Sequence, residues 1–239
     1  MTATVIIPTT GSDELVQAVE SVLNQTYITT CYVVCDGMVN FDKTAALALK
    51  HKWTDNPKFT FCTLPINVGA NGFYGHRIYA GFSHLVQSEF VLYLDQDNWL
   101  EPNHVMSCVQ TIRKTGADWS YSLRKIMDKD GNYLVNDDCE SLGKWDCFQN
   151  YKHIDTNCYC IKTDVAKQIA SAWHGGWGQD RVFLANISKY FPKYECTSEY
   201  SVNYRVNGNA GSVKKEFFEQ GNEIMNEKYK GEFPWRKKV

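Results

Sequence analysis

The sequence predicts an α/β fold in which a mostly parallel central sheet is flanked by helices. Short apolar runs alternate with amphipathic helical stripes over residues 1–100, an order typical of a parallel sheet covered by helices. Hydrophobic residues make up 44% of the 239 positions, which is enough to bury a sizeable core. The apolar run 90–94 ends at a pair of aspartates, and open α/β sheets bind their ligands at such strand ends.

The first half of the chain predicts a β-α-β-α-β-α-β order. The apolar run 5–7 forms a strand that stops at Pro8, and Ser12 suits the N-cap of a helix through residue 23. The remaining predicted elements are a strand at 31–35, a helix at 43–52, a strand at 59–64, a glycine-rich loop at 67–75, a helix through residue 85 and a strand at 90–94.

The second half loses this regular alternation. The predicted elements are a helix at 102–114, a strand at 118–125, a polar loop at 136–150, a strand at 158–161, and helices at 163–169, 179–191 and 212–229. Asp128-Lys129-Asp130-Gly131 is a turn signal and predicts a hairpin. No internal repeat or linker interrupts the chain, so we expect a single domain over residues 1–239.

Charge and hydropathy argue against nucleic acid as a partner and against a membrane-spanning segment. Lysine and arginine number 25 against 27 acidic residues, so the formal charge is −2. The chain therefore lacks the excess of basic residues that is typical of proteins that bind nucleic acid. No apolar run reaches the roughly 18 residues that a membrane span needs. The N-terminus also lacks the basic and apolar regions of a signal peptide. We therefore expect a soluble, cytoplasmic protein.

Asp95 and Asp97 are the most informative pair of residues. If the strand continues past Leu94, these side chains lie two positions apart and project to the same side of the sheet edge. Adjacent carboxylates repel each other unless a cation lies between them. Hard oxygen ligands suit Mn²⁺ or Mg²⁺, and such ions need few protein ligands when substrate phosphates complete the shell. The pair therefore predicts a divalent metal site.

The chain resembles a family 2 inverting glycosyltransferase of the GT-A fold. The similarity extends to about Arg205 and rests on motifs that are specific in combination. In chain order they are VIIPT at 5–9, AVESVLNQTY at 18–27, VVCDG at 33–37, NVG at 67–69, LDQDN at 94–98 and GWGQDR at 176–181. The resemblance implies a nucleotide-binding half at 1–100, an acceptor-binding half at 101–211, and a C-terminal helix and tail at 212–239.

The resemblance implies that Pro8, Thr9 and Asp36 line the base and ribose pocket of a UDP- or GDP-type nucleotide sugar. A carboxylate at Asp36 could accept a hydrogen bond from a base N–H, which favours uracil or guanine. An equally simple interpretation is a turn aspartate before Gly37. The family often has two acidic residues here, and Cys35 replaces the first, which leaves the nucleotide open.

The diphosphate is expected to lie between the glycine-rich loop and the aspartate pair. Asn67 begins that loop, whose backbone can approach a phosphate or ribose closely. Arg77 is a candidate diphosphate partner because its charge does not titrate, although a surface arginine on a helix is as reasonable. The resemblance implies that Asp97 is the direct ligand of Mn²⁺ or Mg²⁺. It implies that Asp95 contacts the ribose or a metal-bound water.

Asp180 is the candidate catalytic base. It follows a glycine-rich loop at the predicted start of a helix, a position that stabilises the carboxylate form. Loss of a metal-neutralised diphosphate needs only one base. A helix-capping aspartate is the alternative interpretation.

The acceptor is expected to contact aromatic and polar residues near this base. The indole of Trp177 could stack on an apolar sugar face. His153 and Asp155 precede the 158–161 strand and could contact the donor or acceptor. The resemblance also brings Arg205, near the end of the similar region, over the diphosphate.

Together these features predict a metal-dependent inverting hexosyl- or deoxyhexosyltransferase. Its acceptor would be a hydroxyl group of a glycan, a lipid-linked glycan or a protein glycan. Contact of the basic tail at 235–239 with a membrane is expected only for a lipid-linked acceptor, and a solvated tail is the simpler interpretation. One alternative is a catalytically silent relative that binds carbohydrate or nucleotide sugar. A nucleotidyltransferase is less favoured, because residues 8–12 read PTTGS in place of a G-G-x-G-x-R loop.

Overall fold

The structure, a computed structural model, describes residues 2–206 and 213–236. Its first half alternates strands and helices in the predicted order. The elements are β1 (Ala3–Thr9), α1 (Leu15–Leu23), β2 (Thr29–Cys35), α2 (Phe41–Lys50), β3 (Phe59–Thr63), α3 (His76–Ser83) and β4 (Phe90–Tyr93), with short 3₁₀ turns at Met38–Asn40 and Trp53–Asp55.

The second half adds more strands than the sequence predicts. Its elements are β5 (Trp99–Leu100), α4 (His104–Thr115), β6 (Trp119–Met127), β7 (Tyr133–Asn136), β8 (Tyr159–Lys162), α5 (Thr163–Ile169), α6 (Gln179–Tyr190), β9 (Tyr194–Arg205) and α7 (Lys215–Tyr229). Short 3₁₀ turns occur at Thr156–Cys158 and Ala170–Trp173. Ser212, at the predicted start of the last helix, lies outside the described residues.

One sheet joins all of the described strands in the order β3-β2-β1-β4-β8-β6-β9-β5, with β7 paired to β6. The strands β3, β2, β1 and β4 are parallel, as predicted. Every residue of β1 and β4 is buried, which explains their uninterrupted apolar sequences. Antiparallel pairs enter with β8, β7 and β5, whereas β6 and β9 are parallel. The predicted α/β class is confirmed.

β9 is the longest strand that the sequence analysis missed. Its twelve residues, YECTSEYSVNYR, are largely polar and lack the apolar alternation by which strands are recognised. The strand forms because it pairs with β6 along most of its length and with β5 near its end. These pairings bring Arg205 next to Asp95-Gln96-Asp97, the D-x-D segment. The Arg205 backbone N–H donates to Asn98 Oδ1, just after this segment, at 2.8 Å.

Two other expectations need correction. The segment 136–150 is a loop, as predicted, but its first part is buried, since Asp137 and Ser141 have no exposed surface. The C-terminal tail is not fully solvated either, because its first residue packs into the core while Arg236 stays exposed. Trp235 is fully buried and donates from Nε1 to Asp138 Oδ1 at 2.7 Å, and Arg236 forms an ion pair with Asp138 at 2.5 Å. Residues 237–239 lie outside the described residues.

The predicted hairpin is present between β6 and β7. Asp128 Oδ1 accepts hydrogen bonds from the backbone N–H groups of Asp130 and Asn132, and Gly131 takes a positive φ of 87°. Within the described ranges, no helix has the length and apolar character needed to cross a membrane.

His104 predicts a measurable loss of stability in acid. The ring is fully buried at the start of α4, with Nδ1 2.8 Å from Ser201 Oγ. Burial lowers the pKa of His104 to about 3 from its ordinary 6.5. The unfolded chain therefore binds a proton below about pH 6.5 that the folded chain refuses, so stability falls with falling pH. Between pH 7 and pH 5, His104 alone is expected to lower the free energy of unfolding by about 2 kcal/mol.

The measurement is urea unfolding of the wild type and of His104→Asn at pH 7 and pH 5. Asparagine keeps a polar group near the Ser201 hydroxyl but does not titrate, and all other groups titrate equally in both proteins. From pH 7 to pH 5, the free energy of unfolding of the variant is expected to fall by about 2 kcal/mol less than that of the wild type. Equal losses in the two proteins would show that His104 is not held neutral.

Candidate active site

A cavity of about 660 Å³ opens at the carboxyl ends of β1, β2 and β4. This is the edge at which an open α/β sheet binds its ligands. The cavity brings together residues that are far apart in sequence. The predicted site residues that line it are Pro8, Thr9, Asp36, Asn67, Asp95, Asp97, His153, Asp155, Trp177 and Asp180. Arg77 is not among the lining residues.

Asp36 anchors the loop of residues 67–75. Its Oδ1 accepts the backbone N–H of Val68 at 2.7 Å, and its Oδ2 accepts that of Gly69 at 2.8 Å. The loop folds so tightly that a Cβ on Gly69 would lie 2.2 Å from the carbonyl oxygen of Tyr74. Asp36 is 4% exposed and faces the cavity, so it shapes the loop and remains available as an acceptor for a bound base.

Arg77 lies on the outer side of the same loop. Its guanidinium stacks on the Phe73 ring at 3.2 Å from the centroid, and Nη1 donates to the Val68 carbonyl oxygen at 3.4 Å. These contacts stabilise the loop from behind and hold the guanidinium away from the cavity lining. The structure therefore gives the predicted diphosphate contact of Arg77 no support.

Gln96 connects the end of β1 to the D-x-D segment. Thr9 Oγ1 donates to Gln96 Oε1 at 2.7 Å, and the Thr10 backbone N–H donates to the same oxygen at 3.1 Å. Thr9 Oγ1 also accepts the backbone N–H of Gly11 at 2.9 Å. The single residue between the two aspartates is thus fixed to the end of the first strand, which limits how far the pair can move.

Asp95 is held by two side chains that the sequence analysis missed. Tyr79 Oη donates to Asp95 Oδ1 at 2.8 Å, and Asn157 Nδ2 donates to Oδ2 at 3.1 Å. Asn157 Oδ1 also accepts the Asp95 backbone N–H at 2.6 Å. Burial first, and then the nearby Asp155 carboxylate, raise the pKa of Asp95. The carboxylate is therefore fixed in position but electrostatically unfavourable, which suits a site that gains a cation.

Arg205 fixes the backbone of the second aspartate. Its Nε donates to the Asp97 carbonyl oxygen at 3.0 Å, and Nη1 donates to that of Lys129 at 2.7 Å. Nη2 donates to Gln17 Oε1, and the guanidinium lies 4.8 Å from the centroid of the Trp99 ring. Because its donors contact the protein, Arg205 holds Asp97 in place in this structure, rather than extending freely over a ligand as expected.

The floor of the cavity contains a buried arginine, Arg124, surrounded by three carboxylates. Its Nε donates to Asp137 at 2.7 Å, Nη1 to Asp155 at 2.6 Å and Nη2 to Glu140 at 2.5 Å. The guanidinium also lies 4.3 Å from the centroid of the Tyr204 ring. Burial alone would raise the pKa of Asp137, but Arg124 and backbone N–H donors outweigh it and lower that pKa. Arg124 and Asp137 are therefore both charged at neutral pH.

Asp155 was expected to contact a ligand, and the structure gives it an additional structural role. One carboxylate oxygen accepts from Arg124, and the other accepts from the backbone and side-chain nitrogens of Asn157 at 3.0 and 2.7 Å. Asn157 in turn holds Asp95. Asp155 therefore links the buried arginine to the D-x-D segment, although it still lines the cavity.

Asp180 lies in the first turn of α6 and lines the same cavity as Asp95 and Asp97. The N-cap position is Gly178, which takes a positive φ of 78°, and no side chain caps the helix. Asp180 Oδ1 accepts the backbone N–H of Arg181 at 2.8 Å, and its side chain is 25% exposed. Asp180 is therefore not the N-cap residue, although it accepts one backbone N–H of the first helical turn. The carboxylate faces the cavity at the helix N-terminus, a position that favours negative charge.

Aromatic rings and one arginine form the outer wall next to Asp180. Trp177 is 76% exposed. The Arg181 guanidinium lies between the rings of Tyr151, at 4.4 Å, and Trp177, at 5.6 Å. Arg181 Nη2 also donates to Tyr151 Oη at 3.1 Å. The exposed indole is thus supported from one side and has a face available for a ligand.

The cavity has the charge and donor set of a site for a divalent cation shared with phosphates. Six carboxylates line it against three guanidinium groups, those of Arg124, Arg181 and Arg205. No group of three or more histidine, cysteine or acidic side chains among the described residues is arranged to enclose a metal ion. Two neighbouring carboxylates, Asp95 and Asp97, fit the mode in which Mg²⁺ or Mn²⁺ uses few protein ligands and takes the rest from substrate phosphates and water.

Comparisons with known proteins agree with this architecture. The sequence model of the family described as "Glycosyl transferase family 2" matches residues 4–174. A curated relative, an "Uncharacterized protein" of Haemophilus influenzae (strain KW20 / Rd), is 29% identical over 68 residues, which are 28% of this chain and 46% of that protein.

Among solved structures, S. aureus TarS 1-349 in complex with UDP-GlcNAc matches with a TM-score of 0.65 at 15% identity, covering 94% of this chain and 65% of that one. The same TarS fragment in complex with UDP gives a TM-score of 0.64 at 16% identity, covering 94% and 64%. The chain thus spans less than two thirds of the length of these relatives. At such identities the structural likeness establishes a shared fold.

We predict that removing the positively charged side chain of Arg124 strongly destabilises the protein. Replacing Arg124 by methionine leaves three carboxylates at the cavity floor without their partner, and a broken buried ion pair costs about 3–5 kcal/mol. The matched control is Arg113→Met, since Arg113 is 44% exposed, pairs with Glu89 at 3.3 Å and donates to Tyr27 Oη at 3.0 Å. Such a surface pair contributes less than about 1 kcal/mol.

The two variants are compared by urea unfolding at pH 7. We expect Arg124→Met to lower the free energy of unfolding by several times as much as Arg113→Met. Equal, small losses in both variants would mean that the three carboxylates do not depend on Arg124.

Proposed function

The chain belongs to glycosyl transferase family 2 and has the GT-A fold, and we propose that it transfers a sugar from a nucleotide-diphosphate donor to a hydroxyl group of an acceptor. The observation that carries the proposal is a single cavity lined by Asp95 and Asp97 at the end of β4 and by Asp180 at the start of α6. One wall is thereby suited to a cation and a diphosphate, and the other presents a carboxylate for a proton.

The donor is proposed to be a UDP- or GDP-type nucleotide sugar. Pro8, Thr9, Asp36 and Asn67 line the end of the cavity nearest β1 and β2, where the base and ribose would lie. Structures of TarS, which has the same fold, are complexes with UDP and UDP-GlcNAc, and they support a uridine nucleotide as the first candidate. Asp36 retains acceptor capacity towards the cavity, as a base N–H requires.

Asp97, with Asp95 beside it, would hold a Mn²⁺ or Mg²⁺ ion, which when bound stabilises the negative charge of the departing diphosphate. Tyr79 and Asn157 keep Asp95 in position before any ligand arrives. Pre-placed groups avoid reorganisation during the reaction. Arg205 does the same for the backbone of Asp97.

Asp180 is proposed to act as the general base. The acceptor hydroxyl gives its proton to a carboxylate oxygen of Asp180 while its own oxygen forms a bond to C1 of the donor sugar. The bond from C1 to the phosphate oxygen breaks on the opposite side, and the electron pair leaves with the diphosphate. Attack opposite the leaving group inverts the anomeric centre, which is the stereochemistry that we propose.

The acceptor is proposed to be a glycan, free or attached to a lipid or protein, with a hexose or deoxyhexose as the transferred sugar. The exposed indole of Trp177 offers a flat apolar surface next to Asp180, and a sugar ring can stack on it. Membrane contact is proposed only for a lipid-linked acceptor. All nine cysteines are free thiols, which supports the proposed cytoplasmic location.

The donor site is tested by calorimetry with a panel of UDP- and GDP-sugars, with and without Mn²⁺. We expect one nucleotide type to bind only with the metal, and Asp97→Ala to weaken that binding more than tenfold, because Asp97 is the proposed ligand. Asp130→Ala, an exposed aspartate in the β6–β7 turn, is the control and should bind like the wild type. Metal-independent binding, or equal affinity in both variants, would contradict the assignment of Asp97.

The base is tested by replacing Asp180 with asparagine, which is similar in size but accepts no proton. Donor binding should be unchanged, and the rate of nucleoside diphosphate release should fall about 10²–10⁴-fold, the usual contribution of a general base. Asp164→Asn removes a carboxylate from the first turn of α5 and serves as the control. If Asp180→Asn keeps the wild-type rate, Asp180 is not the base. Binding without turnover in the wild type would instead indicate a silent carbohydrate-binding relative.

A further inference from the structure

His153 is a buried polar side chain for which the transfer reaction described above has no use. It is 4% exposed and lines the cavity next to the candidate base. Its Nε2 lies 3.6 Å from Asp180 Oδ2, slightly longer than a hydrogen bond. Its Nδ1 is fully buried, with no hydrogen-bond partner among the described residues. The imidazole therefore faces a carboxylate on one side and has an unsatisfied nitrogen on the other.

The two nitrogens decide which tautomer this environment favours. With the proton on Nδ1, a buried donor would lack an acceptor and the lone pair of Nε2 would face the Asp180 carboxylate. With the proton on Nε2, that N–H points at Oδ2, and Nδ1 is left only as an unused acceptor. Because an unpaired buried donor is costly, the Nε2–H tautomer is favoured over the Nδ1–H tautomer.

The other contacts of Asp180 leave its Oδ2 atom for a hydrogen bond from His153. Oδ1 already accepts the Arg181 backbone N–H, which fixes one end of the carboxylate. The Arg181 side chain turns away to the Tyr151 ring and hydroxyl and does not satisfy Oδ2. Tyr151 stands edge-on to the His153 ring at 6.5 Å, so an aromatic wall backs the imidazole. His153 is thus placed to set the rotation of the carboxylate about its side-chain bonds.

We propose that His153 is a positioning residue for Asp180, with its neutral imidazole donating from Nε2 to Oδ2 so that the carboxylate faces the acceptor hydroxyl. The inference rests on the proposed function, in which Asp180 is the base. Hydrogen bonds of catalytic groups are often long before substrate binds and shorten in the complex, which fits the present distance of 3.6 Å. His153 itself takes no proton from the acceptor.

Two substitutions separate this role from simple packing. In His153→Gln the side-chain amide N–H reaches about as far as Nε2, whereas in His153→Asn it reaches only about as far as Nδ1. Both are neutral amides, so they differ mainly in whether a donor can reach Oδ2. The assay measures kcat and KM for nucleoside diphosphate release from UDP-GlcNAc, or from whichever UDP- or GDP-sugar binds best in the presence of Mn²⁺, with water as the acceptor.

We expect His153→Asn to lower kcat about 10- to 100-fold, the range for loss of a hydrogen bond to a charged group, with KM for the donor little changed. His153→Gln should restore kcat to within about threefold of the wild type. Equal rates in the wild type and His153→Asn would overturn the proposal. Equal losses in Asn and Gln variants would also overturn it, because a packing role does not distinguish the two amides.

Nitrogen NMR of ¹⁵N-histidine-labelled protein tests the contact without turnover. The His153 signal, identified by its absence from His153→Gln, should show the neutral Nε2–H tautomer and should shift in Asp180→Asn. An Nδ1–H tautomer, or no response to Asp180→Asn, would overturn the proposal even if a variant proves unstable. If the wild type hydrolyses no nucleotide sugar, the proposed function fails, and the NMR result still decides separately whether the contact between His153 and Asp180 exists.

Discussion

The buried guanidinium of Arg124 must be satisfied by charged partners, and the walls of the cavity are arranged around that requirement. A desolvated cation is tolerated only when it is paired and hydrogen-bonded. Asp137 and Glu140 supply two of the partners, so the loop between β7 and β8 folds inward and is buried despite its polar sequence. The third partner, Asp155, also binds Asn157, which holds Asp95. One buried charge thereby connects the acceptor side of the cavity to the D-x-D segment.

This arrangement explains why the cavity carries an excess of negative charge. Three carboxylates surround the single guanidinium of Arg124. Burial, and then the nearby Asp155 carboxylate, raise the pKa of Asp95. Such a site is stable without ligand because hydrogen bonds from Tyr79 and Asn157 stabilise the Asp95 carboxylate. It becomes more favourable when a cation enters, since opposite charge favours the ionised form. The contacts that hold Asp95 therefore also shape the side of the cavity where we propose that the metal and the diphosphate bind.

The sequence predicts those site residues whose positions follow from local sequence patterns. Asp95 and Asp97 follow a buried strand, and Asp180 follows a glycine-rich loop at a helix start, so local pattern and family resemblance were enough to select them. Tyr79 and Asn157 could not be selected, because their roles depend on tertiary packing. Tyr79 reaches Asp95 from α3, and Asn157 reaches it from the turn before β8, which pairs with β4. Arg77 is the opposite case. Its place in the sequence suggested a diphosphate contact, but its side chain packs on Phe73 outside the cavity.

The most direct test of this account is a crystal structure of the protein with Mn²⁺ and the nucleotide sugar that binds it. We predict the diphosphate beside Asp97 and the donor sugar between Asp95 and Asp180, with Asp95 still bound to Tyr79 and Asn157. A donor seated outside the cavity, or an Asp95 rotated away from both partners, would contradict the claim that the buried network places this carboxylate in advance.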